Sequence, residues 1–524
     1  MRRAAWAIGV LCAVAAAGPA SATRFDEVFG SVGETDAPWW NVSGELRLRG
    51  ELLYDLDLDR GPTPSGLPLY PVPLGDPTGQ VLTHADLRLR TDVGLLAPGG
   101  ALSLQLRVDI LDNMALGSDP DGHPTVTGSQ LPPEDAAFRI KRAWGAVLTP
   151  LGVIAAGRMG SHWGLGMVTH GGDCADCNTG DAADRVAFIT SLFGHYWAVA
   201  YDFSAIGPMT SRKGGGALDM DPSDDVRTVT VAFLQAVNDE ARARRLADDK
   251  TTAEYGAYVS HRWQDQDVPA SYLSTAYPVR LTPAQSMARG FRATAVDGWV
   301  RVTHPWFRLE LEAAVLFGAI DQPSLIPGVL MRDNVESTQY GAAFESDIGP
   351  HDGVFGGGVD AGFASGDPAP GFGAFPGATD PAARAGDLDG PQANLPYDNR
   401  VDNFRFHPDY RVDRILFHEL IGTVTDAIYV RPHLRWRIVE LGPGVLVADL
   451  AAIASFAVEP TSTPGGTRYL GVEIDPTLSY GSRDGFSAAL EYAVLVPLSG
   501  LDNPALGMSA QPAQLLRLRL GYGF

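Results

Sequence analysis

Residues 514–524 read QLLRLRLGYGF, and they decide the fold class of this 524-residue chain. Apolar and aromatic side chains fall on one parity of this stretch, while arginine and glycine fall on the other. Such a strand is typical of a transmembrane β-barrel, because lipid contacts one face of the wall and a wet lumen the other. We expect Tyr522 and Phe524 to form a C-terminal insertion signal that the barrel-assembly machinery recognises.

The same alternation of period two recurs along the sequence, and helical periodicity is hard to find. It is clearest in GELRLRGELLYDLDLD (44–59), ALSLQLRVDI (101–110), FRLELEAAV (307–315) and IYVRPHLRWRI (428–438). Eight short connections interleave with nine long loops rich in proline, glycine and aspartate. We therefore predict an all-β, antiparallel transmembrane β-barrel of about 18 strands (roughly 16–18), with short periplasmic turns and long extracellular loops.

A soluble β-sandwich or propeller is the alternative fold, since it too has alternating strands, but a second layer must then cover every apolar face. Strict alternation of short and long connections is not expected there, and no blade-length repeat is visible. The mean hydropathy of −0.02 excludes a bundle of membrane helices and suits a barrel. The residues predicted to form interfacial aromatic girdles are Trp39, Trp40, Trp163, Trp306, Tyr522 and Phe524.

The N-terminus has the organisation of a secretory signal peptide. Arg2 and Arg3 precede an apolar run over 4–17, and an A-x-A site follows at 20–22. The run is too short for a spanning helix, so we predict export by the Sec pathway and cleavage near Ala22. The predicted segments are the signal peptide (1–22), a periplasmic N-terminal segment (23–38) and a barrel in the bacterial outer membrane (39–524).

Charge and cysteine content narrow the partners. The formal net charge of −22 argues against nucleic acid; the expected partners are outer-membrane lipid and small solutes or polysaccharide. After cleavage the chain keeps Cys174 and Cys177 in GGDCADCNTG, which we predict to form a local disulfide. A thioredoxin-like redox site would need a strand–helix context that this loop lacks. His170 and Asp173 lie nearby, but we expect no metal and no cofactor.

The polar parity of the strands is predicted to face the lumen, because a lipid-facing arginine costs about 2–4 kcal/mol at the midplane. Closure of the barrel brings the last strand beside the first. The predicted pore-lining residues on four neighbouring strands are Arg47, Arg49, Arg88, Arg90, Arg107, Arg517 and Arg519. A second group elsewhere on the wall consists of Arg431, Arg435 and Arg437. Arginine arrays favour anions; the alternative is structural pairing with interspersed carboxylates.

The stretch 366–423 is too long to be an idle connection. Its second part, FRFHPDYRVDRILFHELIG, is apolar enough to fold against the barrel mouth or into the lumen as a constriction, with a helix around VDRILFHELIG. His418 and Glu419 could be regarded as a catalytic pair. No serine stands in a recognisable nucleophile setting, so we expect no enzymatic activity.

Several stretches resemble known barrels. GRMGSHWGLGM with GDCADC, DRVAFITSLFGHYWAVAYDF and FRFHPDYRVDRILFHELIGTVTDAIYVRPHLRW resemble an uncharacterised group of Gram-negative outer-membrane β-barrel proteins. The last stretch is also similar, more distantly, to alginate-export-type porins, mainly over 400–440. That family has eighteen-stranded barrels with an arginine-rich lumen that passes an anionic polysaccharide. The resemblance implies a conduction path lined by Arg47, Arg49, Arg88, Arg90, Arg517 and Arg519, although acids are interspersed among them.

The sequence therefore predicts a porin for passive diffusion of small, possibly anionic, solutes. The first alternative is an exporter of an anionic exopolysaccharide. The second is a plugged, non-conducting barrel that displays its loops for adhesion. A lumen filled by 366–423 would favour the plugged barrel, and a clear passage lined by the arginines would favour transport.

Overall fold

The computed structural model describes residues 25–33, 40–73, 75–76, 78–116, 138–207, 211–213, 216–218, 222–268, 283–324, 330, 333–350, 353–369, 372, 386–388 and 399–524. The predicted signal peptide and Trp39 lie outside the described residues. The helices are α1 (Phe25–Gly30) and α2 (Asp239–Ala247), with single turns at Pro283–Gln285, Leu416–Leu420 and Ser499–Leu501. Among the described residues, no helix has the length and apolarity needed to cross a membrane.

The strands follow one another in a meander. Their bounds are β1 (Trp40–Tyr54), β2 (Val81–Leu96), β3 (Leu102–Ala115), β4 (Phe138–Thr149), β5 (Gly152–Gly160), β6 (Ala182–Leu192), β7 (His195–Ala205), β8 (Ser211–Lys213), β9 (Gly216–Leu218), β10 (Val226–Gln235), β11 (Thr252–Asp267), β12 (Met287–His304), β13 (Phe307–Ile320), β14 (Val335–Ile348), β15 (Phe355–Ala364), β16 (Ala427–Leu441), β17 (Gly444–Ala457), β18 (Tyr469–Ser482), β19 (Phe486–Pro497) and β20 (Ala513–Gly523). Strands β8 and β9 form a separate small hairpin in an outer loop.

The other 18 strands form one closed sheet in which neighbours pair antiparallel. Strand β20 pairs with β1, so that Leu520 lies opposite Leu48, and this pairing closes the barrel. All eight predicted short connections join consecutive strands, and the predicted long loops lie between them. The predicted fold class and strand number are confirmed.

Burial in this barrel is inverted with respect to a soluble protein. On β1, Leu46 is 41% exposed while Arg47 is 0% exposed, and similar alternation runs along β2 and β3. An apolar exterior and a polar interior suit a wall between hydrocarbon and a lumen, since lipid cannot satisfy an arginine. The chain is thus a β-barrel of the bacterial outer-membrane type.

Of the residues predicted for the aromatic girdles, four face outward, as such girdles require, and Trp163 does not. Trp40, Trp306, Tyr522 and Phe524 are all about half exposed on the outside of the wall, between 49% and 60%. Trp163 is only 5% exposed and packs edge-on against Tyr258. It follows β5 in a loop that turns into the lumen, so its ring never reaches the lipid.

Helix α1 packs against the inner face of β5, β6 and β7. Val28 is 1% exposed there, and the ring of Phe29 lies 5.2 Å from that of Tyr196. The wall beneath carries small apolar side chains such as Ala155 and Ala198 on its inward parity. Inward apolar residues are stable at this place because α1 covers them. The described part of the segment predicted over 23–38 therefore contacts the barrel interior.

Two loops fold inward and together form what we call the plug. One is the cysteine loop (161–181), between β5 and β6; the other is the described part of the long loop (399–426), before β16. The long loop has its own apolar core, with Phe404, Phe406 and Leu416 at 1% exposure or less. The prediction placed this loop at the mouth or in the lumen; it packs against inward-facing residues of the wall.

The predicted helix in the long loop is a single π-helical turn, Leu416–Leu420. The N–H groups of Leu420 and Ile421 each bond to the carbonyl five residues earlier, at 2.9 Å. Carboxylates occupy the start of the turn: Asp413 accepts the N–H of Phe417, and Glu473 of β18 accepts that of Leu416. These carboxylates cap the first N–H groups of the turn. The turn ends before Gly422, whose φ of 85° is the left-handed conformation that closes many helices.

Candidate functional site

The cysteine loop lies along what we call the arginine wall. This is the inward-facing group of Arg47, Arg49, Arg88, Arg90, Arg107, Arg517 and Arg519. Cys174 and Cys177 form a disulfide with a Cα–Cα distance of 5.1 Å, and Cys177 is fully buried. The carbonyl of Cys177 accepts hydrogen bonds from Arg47 at 3.0 Å and Arg88 at 2.6 Å. Two wall arginines thus bind the carbonyl that directly follows the short ring closed by the disulfide.

Asp176, between the two cysteines, has the densest set of charged partners in the plug. It accepts hydrogen bonds from Arg49 at 3.0 Å and Arg517 at 2.8 Å, and from Arg411 of the long loop. Burial alone would raise the pKa of Asp176, but these arginines hold it well below its usual value. The carboxylate therefore stays ionised and joins both walls of the closure seam to the plug.

The other wall arginines are paired as well. Arg90 binds Asp109 through two bonds of 2.7–2.8 Å and the carbonyl of Gly172 at 2.6 Å. Arg107 binds Asp92, and Asp173 of the cysteine loop. Arg519, at the seam, donates to Glu491 of β19 at 3.0 Å.

Six of the seven wall arginines are at most 5% exposed, namely Arg47, Arg49, Arg88, Arg90, Arg107 and Arg517. In the second group, Arg431 pairs with Asp360 at 2.7 Å, Arg437 pairs with Glu440 at 3.1 Å, and Arg435 contacts the carbonyl of Pro350. The structure brings the first group together around the plug and leaves the second on β16. A conduction path along either group stays a prediction.

Two inward carboxylates of the wall hold the plug by its backbone. Glu312 of β13 accepts the N–H groups of four consecutive residues of the cysteine loop, Leu165 to Val168, at 2.5–3.4 Å. Glu473 of β18 accepts those of three residues of the long loop, Arg414 to Leu416, at 2.8–3.0 Å. Successive backbone donors that point at one carboxylate form a compact anion cradle, and here the anion belongs to the barrel.

The two loops of the plug also bind each other. Asp409 accepts the N–H groups of Asn178 and Thr179 at 2.9 and 3.1 Å. The N–H of His407 donates to the carbonyl of Met167 at 2.7 Å. The plug is therefore one unit made from two distant parts of the chain.

His170, His407 and Asp409 lie within metal-binding distance of one another at this junction. However, Nδ1 of His170 accepts the N–H of Gly172, and Nδ1 of His407 accepts that of Asp409, both at 3.0 Å. Burial lowers the pKa of His170 and favours its neutral ring, whose proton then sits on Nε2. A ligating histidine needs a free lone pair, so we assign this cluster to loop packing.

A cavity of about 1300 Å³ lies between the plug and the inner wall of β4–β7 and β10–β13. Its charged lining consists of the cations Arg139, Lys141, Arg158, Arg185, Arg262 and Arg405 and the acids Asp181, Asp184 and Asp202. We call it the outer cavity, since most of these residues lie near the extracellular ends of their strands. Phe25 of α1 lines it as well.

Arg262 and Arg405 differ from the wall arginines because both are exposed. Arg262 donates to the hydroxyl of Thr228 at 3.0 Å, and Arg405 lies between the buried rings of Phe404 and Phe406 in the long loop. Within the described part of the chain, neither arginine forms an ion pair. These two guanidinium groups are the ones that face the cavity with their charge uncompensated.

Sequence reasoning did not single out Arg262 or Arg405. Arg262 lies in YVSHRWQDQD (258–267), where alternation predicts a strand, and its neighbours gave no reason to prefer it to other arginines. Arg405 lies in FRFHPDYR, inside the loop that was predicted to form a constriction. Arg405 could have been predicted from its position in this apolar loop, because a loop that folds inward brings its charged residues into the lumen.

Comparisons with known proteins add the following. Neither a scan of protein-family models nor a search of curated proteins found a match. Among solved structures the chain is similar to OccK5 (OpdH) of Pseudomonas aeruginosa, with 9% identity, a TM-score of 0.44, and 92% of this chain and 98% of that one covered. A BenF-like porin from Pseudomonas fluorescens has 10% identity, a TM-score of 0.43 and the same coverage.

Proposed function

We propose that the protein is an outer-membrane channel for passive diffusion of small anionic solutes, which enter through the outer cavity. The observation that supports it is that Arg262 and Arg405 are exposed in a cavity of about 1300 Å³ and have no carboxylate partner among the described residues. Cations lining a confined aqueous space raise the local concentration of anions and favour their passage. Such a channel selects solutes only by their charge and size.

The wall arginines have a different role in this proposal. Their guanidinium groups are already bound to the cysteine loop, to Asp176 and to wall carboxylates. A polysaccharide could use them only if the plug left the wall, so the geometry supports export less than diffusion of small solutes. We also propose that the barrel-assembly machinery recognises the C-terminal strand through Tyr522 and Phe524.

Single-channel recording in planar bilayers under a salt gradient tests the proposal. We expect a steady current with a reversal potential that shows anion preference, and loss of that preference in the double variant Arg262→Ala/Arg405→Ala. The matched control is Arg483→Ala, which removes one exposed charge from the turn between β18 and β19 and should leave selectivity unchanged. Retention of anion preference in the double variant would contradict the proposed path.

A plugged barrel is the second candidate, and the sealed contact between the plug and the arginine wall favours it. If the native protein passes no current at any voltage while its plug is intact, this second function replaces the first. The same recordings, made on variants that release the plug, then show whether the wall itself can conduct.

The current is expected to increase as pH rises from about 4 to about 7. Burial and repulsion from Asp475 raise the pKa of Asp413 to about 7, although hydrogen bonds from the backbone of the plug partly oppose the shift. Because the pKa of Asp413 is raised while the long loop is in place, the loop is held most firmly when Asp413 is protonated. The stability of the bound loop therefore falls as pH rises from about 4, the ordinary pKa of aspartate, to about 7. Asp413→Asn should flatten the pH profile; an unchanged profile would contradict this role.

A further inference from the structure

The outer end of β1 carries a group of acids that the channel proposal does not use. Directly after Tyr54 the sequence reads DLDLD (55–59) and forms a turn. One carboxylate oxygen each from Asp55, Asp57 and Asp59 can be chosen so that all lie within 4.8 Å of one another. The intervening leucines, Leu56 and Leu58, are 3% and 0% exposed and point into the apolar core. Alternation therefore anchors one side of the turn and gathers three acids on the other.

The charge of these three acids is not compensated in the way that is usual in this barrel. Elsewhere inward carboxylates bind arginine, as Asp86 binds Arg47 and Arg49. The one basic residue of the connection 55–80 is Arg60, whose guanidinium donates instead to the carbonyl of Asp502 at 3.0 Å. Among the described residues, none of the three acids forms an ion pair with lysine or arginine.

Asp55 supplies an independent sign of a missing ligand. Asp55 is only 4% exposed, and its Oδ1 atom is buried with no hydrogen-bond partner in the described part of the chain. A buried carboxylate oxygen without a partner is destabilising, because it has lost its hydration and gained no hydrogen bond in return. The same carboxylate offers an oxygen that converges with those of Asp57 and Asp59, so one ion could bind all three residues.

We propose that the turn 55–59 binds a calcium ion through Asp55, Asp57 and Asp59. Calcium accepts carboxylate oxygens at about 2.3–2.6 Å and completes a flexible shell of six to eight oxygens with carbonyls and water. Oxygens on opposite sides of such an ion are about 5 Å apart, and the three carboxylate oxygens lie within 4.8 Å of one another, close enough to bind one ion. Magnesium requires a tighter octahedron, and the absence of nitrogen and sulfur ligands from this group disfavours transition metals.

The position of the turn indicates what the ion does. The N–H of Asp55 donates to the carbonyl of Gln80 just before β2, and the carbonyl of Leu58 accepts the N–H of Gln511 just before β20, both at 2.8 Å. The turn thus connects the extracellular ends of β1, β2 and β20, where the barrel closes. Binding of calcium stabilises the outer end of the closure seam.

Calorimetric titration of the full-length, folded protein with calcium chloride after removal of metal by EDTA tests the site. We expect a dissociation constant of about 10⁻⁴–10⁻³ M, as in extracellular calcium modules, and a higher unfolding temperature with calcium than with EDTA. Asp57→Asn and Asp59→Asn should each weaken binding by about tenfold or more. The matched control Asp76→Asn, on the same loop and exposed, should bind as the native protein does.

The proposal is overturned if the native protein shows neither calcium-dependent heat nor a shift in unfolding temperature, or if both variants bind calcium normally. Equal affinity for magnesium would overturn the assignment of the ion. Unfolding of each variant in EDTA checks that it folds; removal of one of three repelling charges should leave it at least as stable as the native protein. The measurement requires no current, so it stands or falls separately from the channel.

Discussion

Asp176→Asn is expected to raise the single-channel conductance and to lower the free energy of unfolding. The substitution leaves Arg49, Arg411 and Arg517 around a neutral amide in the interior. Removing one partner of a buried ion pair typically costs about 3–5 kcal/mol; we expect the lower end, about 3 kcal/mol, because this side chain is 19% exposed. The plug then leaves the arginine wall, which opens a second aqueous path.

Urea unfolding in lipid vesicles and planar-bilayer recording measure the two effects. The matched control is Asp248→Asn, which removes a carboxylate next to α2, outside the cavity lining, where it pairs with Lys250 and the two side chains are 63% and 59% exposed. A pair that exposed contributes at most about 1 kcal/mol, so both readouts should stay near the native values. Equal behaviour of the two variants would show that Asp176 does not hold the plug.

Glu312→Ala is expected to have the second-largest effect, on the other end of the cysteine loop. The substitution removes the acceptor of four consecutive N–H groups, of which those of Leu165 and Gly166 lie closest, at 2.5 and 3.1 Å. Each buried donor left without an acceptor costs about 1–3 kcal/mol. The loop should therefore detach locally, with a loss of at least about 2 kcal/mol of stability.

Hydrogen–deuterium exchange at residues 165–168 measures this detachment directly. Exchange should become much faster in Glu312→Ala and only moderately faster in Glu312→Gln, whose amide carbonyl can still accept. Glu336→Gln, at a side chain that is 57% exposed, controls for the loss of a negative charge on β14. Unchanged protection of 165–168 in Glu312→Ala would mean that the loop is held by its other contacts.

For the arginine wall, the sequence predicted the direction of the side chains and could not predict their partners in the plug. Alternation placed Arg47, Arg88 and Arg517 on the inward parity, and the structure has them there. It could not show that the carbonyl of Cys177 and the carboxylate of Asp176 occupy their guanidinium groups, because the contact between Arg517 and Asp176 spans 341 residues. Contacts of that range depend on how loops fold back, and loops carry no periodic signal.

The sequence by itself determined the closed barrel, its strand number, its turns and the inward direction of the wall arginines. These follow from local rules: a period of two places residues on alternate faces, and lipid accepts only the apolar face. The alternation in 44–59 did not reveal that β1 ends at Tyr54 and that Leu56 and Leu58 turn into the apolar core. Only the tertiary structure decided which charges are free to meet a solute. The plug covers the arginines of the seam and leaves Arg262 and Arg405 exposed, because backbone donors of two distant loops converge on Glu312 and Glu473.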